Sequence, residues 1–286
     1  KGEKMNAGQM KDNNSMCNRP ADPCGVNSTL RHSDIYTACG NINVYWYSEI
    51  DSTNTAAVSF IKKGISDTAV IAADYQTNGK GRFERVWHSP PGKGLWFSII
   101  QPYSLDIAAA SQMTLLAAVA VSEAVENVTG VRPGIKWPND LMIKGKKICG
   151  ILTEMITDSC NDSVYLVIGI GLNVNLTTED MPEIIRERAT SLMIEHGAVI
   201  NRRTLLDEIL YNYTRWYSVW GKDGFGPVRN EWLKYNVTIG RNLEVNLWDE
   251  YFHAEAVGMD MDGSLEIIDS NNLVQKINSG EVSFIL

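Results

Sequence analysis

A glycine-rich, cationic segment between two apolar runs constrains the fold of this chain more than any other stretch. The segment, DYQTNGKGRFERVWHSPPGKGLWFS, spans residues 74–98 and overlaps the apolar runs at 68–75 and 94–101. Because both runs have the composition and length of β-strands, we predict that they pair antiparallel and hold the segment at both ends. The chain must therefore form a sheet with this loop at the end of two neighbouring strands.

The composition of this loop suits an anionic ligand. Gly79 and Gly81 permit unusual backbone conformations and leave room for a ligand close to the chain. Lys80, Arg82 and Arg85 add positive charge to the same segment, so side chains and backbone amides can meet an anion together. We interpret the loop as a phosphate-binding lid, and a basic surface hairpin loop is the simpler alternative.

The overall composition argues against several classes of protein. The 286 residues carry 26 basic and 34 acidic side chains, a formal net charge of −8, which disfavours a surface for nucleic acid. The cysteines, at positions 17, 24, 39, 149 and 160, form no C-x-x-C pair. We therefore expect no disulfide framework, and no metal site of the first three cysteines with His32.

No apolar run reaches the roughly 18 residues that span a bilayer, and we expect a cytoplasmic protein.

The pattern of the chain divides it into three parts. Residues 1–40 are polar and aperiodic, which predicts a weakly ordered lead-in. Residues 41–235 mix strand and helix patterns, which predicts an α+β domain with a central sheet covered by helices. Residues 236–286 contain short alternating runs separated by polar turns, which predicts a small barrel.

Individual elements follow from the periodicity of apolar residues. In the central part we predict strands at 43–49, 68–75, 94–101, 134–143, 147–156 and 163–174, and helices from Ser52 or Thr53 as N-cap to 64, at 106–128, 203–220 and 227–235. In the last part we predict strands at 243–248, 252–259, 264–268, 274–277 and 282–285.

The motif Gly169-x-Gly171 does not predict a dinucleotide-binding fold, because no helix pattern and no third glycine follow it.

Several motifs share their order and spacing with one known family. They are Ser52-Thr53-Asn54, Gln76-x-x-Gly79-Lys80-Gly81-Arg82, Lys136-Trp137-Pro138-Asn139-Asp140, Lys147-x-x-Gly150-Ile151-Leu152-x-Glu154 and Gly169-x-Gly171-x-Asn173. Through them the chain from about Asn41 onward resembles the biotin protein ligases, in the form without a DNA-binding domain. The resemblance implies a mixed central sheet flanked by helices, related to class II aminoacyl-tRNA synthetases, over 41–235. It also implies an SH3-like barrel over 236–286.

The resemblance also implies a reaction and its participants. Biotin and ATP would form biotinyl-5′-AMP with release of pyrophosphate, and a lysine of a biotin carboxyl-carrier domain of a carboxylase would then take the biotin. ATP and biotin would be substrates, with Mg²⁺ as the metal. Neither nucleic acid nor a membrane is expected as a partner, and a homodimer stays open.

Site residues are carried over from the family position by position. Biotin would contact Ser52, Thr53, Asn54, Gln76, Lys80, Gly81, Arg82 and Lys147. The nucleotide would contact Lys80, Arg82, Trp87, Asn139, Lys147 and Asn173, with adenine approaching the strand at Gly169 and Gly171. The catalytic residues would be Lys147, Arg82 and Asp140, and Asp140 would bind Mg²⁺ or assist the incoming amine. Trp87 would either pack over the adenylate or belong to the core, and Glu154 receives no role.

The chain departs from the family pattern inside the loop. Lys80 stands where an arginine is common, and Phe83-Glu84 stands where many members carry Arg-Gly. Lysine cannot reproduce the bidentate fork of arginine, and Glu84 subtracts positive charge. We therefore expect looser retention of the adenylate than in the usual lid.

Three alternative functions remain at this point. One is a lipoate or octanoate ligase or transferase on the same scaffold, which KWPND, Gln76 and the predicted C-terminal barrel disfavour. Another is a bifunctional biotin ligase and repressor that has lost its DNA-binding domain. The third is a protein that binds biotin without catalysis, which would have no use for Lys147 and Arg82.

Overall fold

Two separate sheets organise the protein. The computed structural model describes residues 32–104, 109–158, 162–247 and 250–285. The larger sheet has eight strands and the smaller has five. A mixed sheet with helices followed by a second sheet was predicted, and this arrangement is confirmed.

The larger sheet carries the loop discussed above. Its strands are β1 (His32–Ala38), β2 (Ile42–Ile50), β3 (Ala69–Gln76), β4 (Leu95–Tyr103), β5 (Gly134–Lys136), β6 (Asp140–Ile143), β7 (Lys146–Thr157) and β8 (Val164–Leu172), in the spatial order β1-β2-β3-β4-β8-β7-β6-β5. The β2–β3 pair is parallel and the other pairs are antiparallel. The predicted antiparallel pairing on the two sides of the loop is therefore confirmed as β3 with β4.

Helices cover both faces of this sheet. They are α1 (Thr53–Lys62), α2 (Ala110–Thr129), α3 (Glu183–Arg186), α4 (Leu192–His196), α5 (Arg202–Asp223) and α6 (Gly226–Tyr235). Buried residues of α1 share one core cluster with β2, β3, β4 and β8, whereas α2, α5 and α6 share the larger cluster on the opposite face. Burying such apolar side chains drives the layers together, at about 1.5–3 kcal/mol for each large one. No described helix is long and apolar enough to cross a membrane.

Two predictions about the larger sheet are wrong. Residues 32–38 form β1, an edge strand paired with β2, rather than part of a weakly ordered lead-in. Residues 1–31, with Cys17 and Cys24, lie outside the described residues. The predicted strand 134–143 is two short strands, β5 and β6, which pair antiparallel with each other.

The chain reverses between β5 and β6 at Trp137-Pro138-Asn139. Proline has no N–H to donate to a sheet ladder, so it is disfavoured inside a paired strand. Trp137 is buried, and its backbone N–H donates to Thr238 Oγ1 at 2.8 Å. The reversal sets Lys136 directly opposite Asp140 in the strand register, so both side chains reach the same end of the sheet.

The smaller sheet contains the predicted short strands. They are β9 (Asn242–Leu247), β10 (Glu250–Met259), β11 (Leu265–Asp269), β12 (Val274–Ile277) and β13 (Glu281–Phe284), in the antiparallel order β12-β11-β10-β9-β13. Closing a barrel requires the two outer strands, β12 and β13, to pair. The described residues contain no such pairing, so the sheet is open and the SH3-like barrel is not confirmed.

Candidate active site

One cavity of about 510 Å³ collects the site residues predicted from the sequence. Its wall includes the start of α1, the ends of β3, β7 and β8, the loop between β3 and β4, and the α3 segment. The predicted residues in the wall are Ser52, Thr53, Asn54, Gln76, Lys80, Gly81, Arg82, Trp87, Asn139, Asp140, Lys147 and Asn173. Residues far apart in the sequence are thus brought to one place, while the role of each remains a prediction.

One end of the cavity is lined by uncharged polar groups. Gln76 Oε1 accepts from the Thr53 backbone N–H at 2.8 Å, and Gln76 Nε2 donates to Ser89 Oγ at 2.9 Å. Ser52 occupies the N-cap position of α1, but no side-chain cap bond forms, so the expectation of a capping hydroxyl is not met. The side chains of Ser52, Thr53 and Gln76 are buried. This end therefore offers donors and acceptors without net charge.

Two residues behind this end received no role from the sequence. Ser98 on β4 is fully buried, donates to Asn54 Oδ1 at 2.6 Å, and lies 2.7 Å from Thr53 Oγ1. Glu154 on β7 accepts from Asn54 Nδ2 at 2.6 Å. A serine within the apolar run LWFSII was a usable signal, because a polar residue inside a buried strand needs a hydrogen-bond partner.

Gly169 and Gly171 give space to protein side chains. A Cβ at Gly169 would lie 2.0 Å from Asn54 Oδ1, and a Cβ at Gly171 would lie 2.5 Å from Trp87 Nε1. Both contacts are far shorter than van der Waals distance, so the side chains of Asn54 and Trp87 need glycine at these positions. The space over both glycines is therefore occupied by Asn54 and Trp87, and the approach of adenine to this strand stays a prediction.

The other end of the cavity gathers charge. Lys147 Nζ lies 2.6 Å from Asp140 Oδ1 and 5.3 Å from the centroid of the Trp87 ring. Arg82 Nη1 donates to Asn139 Oδ1 at 3.1 Å, and Asn139 Nδ2 donates to the Ile151 carbonyl at 3.0 Å. The arrangement presents two cations beside one carboxylate, so it can accept a further anion.

Burial makes the charged forms of the cations in this end less stable. Desolvation lowers the pKa of the Arg82 guanidinium, and the charge of Asp140 partly opposes the shift. The pKa of Lys136, a further cation in the cavity wall, is also lowered by burial, with Asp140 acting in the opposite direction. Because desolvated cations gain more from an anion than exposed ones do, this end of the cavity favours phosphate or carboxylate.

The remaining predicted residues lie at the margins of this site. Asn173 is buried and its Nδ2 donates to the Thr190 carbonyl at 3.0 Å. Trp87 lines the cavity and also packs edge-on against Trp96, with ring centroids 6.5 Å apart, so it belongs to a small apolar cluster, while its packing over the adenylate stays a prediction. Lys80 is exposed at the rim.

One departure from the family pattern, Phe83-Glu84, coincides with an uncommon backbone. Phe83 and Glu84 have φ values of +54° and +58°. Residues with a Cβ rarely adopt this left-handed region, whereas glycine adopts it freely. The family pattern has glycine at position 84, where it would adopt the same turn without strain.

The loop is tied to the smaller sheet by an ion pair that the sequence did not predict. Arg85 donates to both carboxylate oxygens of Glu281, the first residue of β13, at 2.5 and 2.6 Å. The Arg85 hydrogen bonds hold the pKa of Glu281 below its ordinary value. A lowered pKa means that this contact stabilises the folded state at neutral pH and is lost as the pH falls through that pKa. Glu281 and Val282 also line the cavity, so β13 completes its wall.

We expect Glu281→Gln to loosen the loop. Exposed ion pairs contribute up to about 1 kcal/mol. Losing this one should therefore increase the fraction of molecules with an open loop about two- to fivefold. Trypsin cleavage after Arg82 and Arg85 in the ligand-free protein, followed by mass spectrometry, measures this change. Glu244→Gln, on β9 of the same sheet, is the matched control. Equal cleavage of Glu281→Gln and wild type would contradict the prediction.

The carboxylates do not form a metal site of the protein alone. Asp140 and Glu281 line the cavity, and each is already paired with a cation. Among the described residues no cluster of three or more His, Cys, Asp or Glu side chains could hold a metal. Magnesium prefers six oxygen ligands and is bound in many enzymes by one or two carboxylates plus substrate phosphates. The donor set here does not fit a Mg²⁺ ion held without such phosphates.

Comparison with known proteins agrees with this geometry. Residues 46–173 match the model of the Biotin/lipoate A/B protein ligase family. The chain is 36% identical over 241 residues to the bifunctional ligase/repressor BirA of Bacillus subtilis, covering 84% of this chain and 73% of that protein. It is 30% identical over 220 residues to the biotin–[acetyl-CoA-carboxylase] ligase of Paracoccus denitrificans, covering 75% and 90%.

A solved structure shares the fold as well. The biotin protein ligase of Aquifex aeolicus, determined in complex with biotin and ATP, superimposes with a TM-score of 0.72 at 29% identity. The match covers 84% of this chain and 97% of that one. With its fold, its cavity and its curated relatives in agreement, this chain belongs to the biotin protein ligase family.

Proposed function

We propose that this protein uses ATP to ligate biotin to a lysine of a biotin carboxyl-carrier domain, through biotinyl-5′-AMP and with release of pyrophosphate. The observation that carries the proposal is that one cavity contains both an uncharged polar end and a cationic end. Biotin has a neutral ureido ring at one end and a carboxylate at the other. The cavity has the same polarity along its length.

The uncharged end would hold the ureido ring. Hydroxyl and amide groups supply both donors and acceptors, and they avoid the cost of burying a charge against a neutral ligand. Thr53, Asn54 and Gln76 are already fixed by hydrogen bonds to one another or to strand residues. A pre-ordered set of this kind loses little conformational entropy when a ligand binds.

The cationic end would hold the reacting anions. Formation of the adenylate brings the biotin carboxylate against the α-phosphate, and repulsion between two anions opposes it. Lys147 and Arg82 would offset this repulsion in a partly buried site, where fixed charges act more strongly than in water. Lys147 would leave Asp140 for the anions. Asp140 could then accept a proton from the incoming lysine amine in the second step.

We propose that Trp87 contacts the nucleotide. The substitution Gly171→Ala tests this, because it removes the space that the Trp87 side chain occupies. The added Cβ would lie 2.5 Å from Trp87 Nε1, so the indole must move. We expect the ATP dissociation constant to rise about tenfold, the loss of one well-placed aromatic contact. Isothermal titration calorimetry measures it. Gly221→Ala on α5, where the added Cβ meets no atom within 4 Å, is the control. An unchanged ATP affinity in Gly171→Ala would argue against a nucleotide contact.

Lys80→Arg addresses the expected loose retention of the adenylate. Arginine adds a bidentate fork at the rim of the cavity, and we expect biotinyl-5′-AMP to dissociate about two- to fivefold more slowly, as for other exposed ionic contacts. The rate is measured by chasing labelled intermediate with an excess of unlabelled intermediate. Lys93→Arg, in the same loop but paired with Asp180, is the control. Identical rates for wild type and Lys80→Arg would dispose of the hypothesis.

A direct assay tests the function. The purified chain is incubated with ATP, Mg²⁺, biotin and a carrier domain, and biotin on the acceptor lysine is detected by mass spectrometry. A carrier domain with arginine at the acceptor position is the control. Because the matching family also includes lipoate ligases, lipoate is tested in parallel. Pyrophosphate release that requires biotin and not lipoate supports the proposal, and release with lipoate alone contradicts it.

A further inference from the structure

Glu154 lies behind the cavity wall rather than in the part that ligands would touch. Gly150 and Leu152 line the cavity, and Glu154 follows them on the same face of β7, because alternate residues of a strand share a face. Its Oε2 accepts from Asn54 Nδ2 at 2.6 Å. A hydrogen bond to an ionised carboxylate is about twice as strong as one between neutral groups.

The Asn54 amide is held on three sides. Nδ2 donates to Glu154, Oδ1 accepts from Ser98 at 2.6 Å, and the plane of the amide packs on Gly169, where a Cβ would lie 2.0 Å from Oδ1. A carboxylate can only accept, so it requires the NH₂ side of the amide to face it. Turning the amide over would place two oxygens 2.6 Å apart and lose the charge-assisted bond. Glu154 therefore defines the polarity that Asn54 presents.

We infer that Glu154 is a positioning residue for ligand selection: it fixes the orientation of the Asn54 amide in the uncharged end of the cavity. The inference rests on the proposed function. A ligand with an N–H donor and a carbonyl acceptor in its ring, such as biotin, gains from a fixed amide. A ligand with an apolar ring or chain at the same place has no group for this amide to recognise. Glu154 thus contributes to the preference for a ureido ring.

A double-mutant cycle tests whether Glu154 acts through Asn54. The dissociation constants of biotin and of ATP are measured by isothermal titration calorimetry for wild type, Glu154→Leu, Asn54→Ala and the double variant. We expect Glu154→Leu to weaken biotin binding about tenfold, the size expected for losing one hydrogen bond to a charged group. ATP affinity should change less than twofold. In the Asn54→Ala background, Glu154→Leu should add no further loss, because coupled residues are not additive.

Two further variants keep the test decisive. Thr153→Val is the matched control, since Thr153 is the adjacent residue of β7 and bonds Thr114 on the opposite face of the sheet. It should leave biotin affinity unchanged. If Glu154→Leu does not fold, Glu154→Gln takes its place in the cycle. Glutamine keeps the shape but tolerates either amide orientation, so a smaller loss is expected that again vanishes without Asn54.

The outcomes separate this inference from the proposed function. Equal losses with and without Asn54, or an unchanged biotin affinity, overturn the inference while leaving a biotin-binding wild type intact. A wild-type protein that binds no biotin overturns both.

Discussion

Lys147→Met is expected to slow formation of biotinyl-5′-AMP by at least about 100-fold. Removing a single group aimed at the charge of a transition state typically costs that much. Lys147 is the cation nearest to Asp140 in the cavity, with its side chain 32% exposed, so it is shielded enough to act strongly and open enough to reach a substrate. Methionine keeps the length and the apolar stem of lysine while removing the charge. Single-turnover pyrophosphate release measures the rate.

Lys146→Met provides the matched control for this experiment. Lys146 is the adjacent residue of β7, and it does not line the cavity. We expect its adenylation rate to stay within about twofold of wild type, as is usual for surface substitutions. A rate for Lys147→Met close to that of Lys146→Met would show that Lys147 acts only as a solvated lysine at the end of the hairpin of β6 and β7.

Arg82→Met is expected to release the intermediate. Arg82 is partly buried in the cavity wall, and its Nη1 bond to Asn139 leaves other N–H groups of the guanidinium for a phosphate. Losing charge-assisted bonds of this kind should speed dissociation of biotinyl-5′-AMP about 10- to 100-fold. Rapid filtration of enzyme preloaded with labelled intermediate measures the rate.

The control for Arg82 is an arginine outside the cavity. Arg132→Met removes an exposed guanidinium that pairs with Glu126 at 2.9 Å, on the side of the molecule formed by α2 and α6. Its dissociation rate should match wild type. If Arg82→Met retained the intermediate as long as Arg132→Met does, the loop would not act as a lid through this residue.

Much of the fold was predictable where local pattern and tertiary packing agree. The apolar runs at 68–75 and 94–101 predicted β3 and β4, and helical spacing at 203–220 predicted α5. The errors occur where pairing decides the outcome. Residues 32–38 carry no strong pattern of their own, yet the open edge of β2 makes them a strand. Residues 134–143 look continuous in composition, and only Pro138 marked the reversal.

The site residues also fall into those that the sequence could indicate and those that only the tertiary structure brings to the cavity. Lys147, Arg82 and Gln76 could be proposed because their motifs keep the order and spacing of the family that the chain resembles. Glu281 could not be found, because it reaches the cavity from a different sheet, and its partner Arg85 lies 196 residues away in the sequence. The contacts of Ser98 and Glu154 with Asn54 depend on the register of β4, β8 and β7, which brings both side chains beneath Asn54.

The buried indole of Trp137 bears on where the polypeptide could be cut. Its Nε1 donates to the Gly263 carbonyl at 3.1 Å, and its backbone N–H donates to Thr238, so both polar groups depend on residues after 236. Without those residues a large aromatic surface and two donors would be left without their partners, directly beside Asn139 and Asp140. A shortened version ending at 235 would therefore lose catalytic competence along with its solubility, even though every motif of the reaction centre were still encoded.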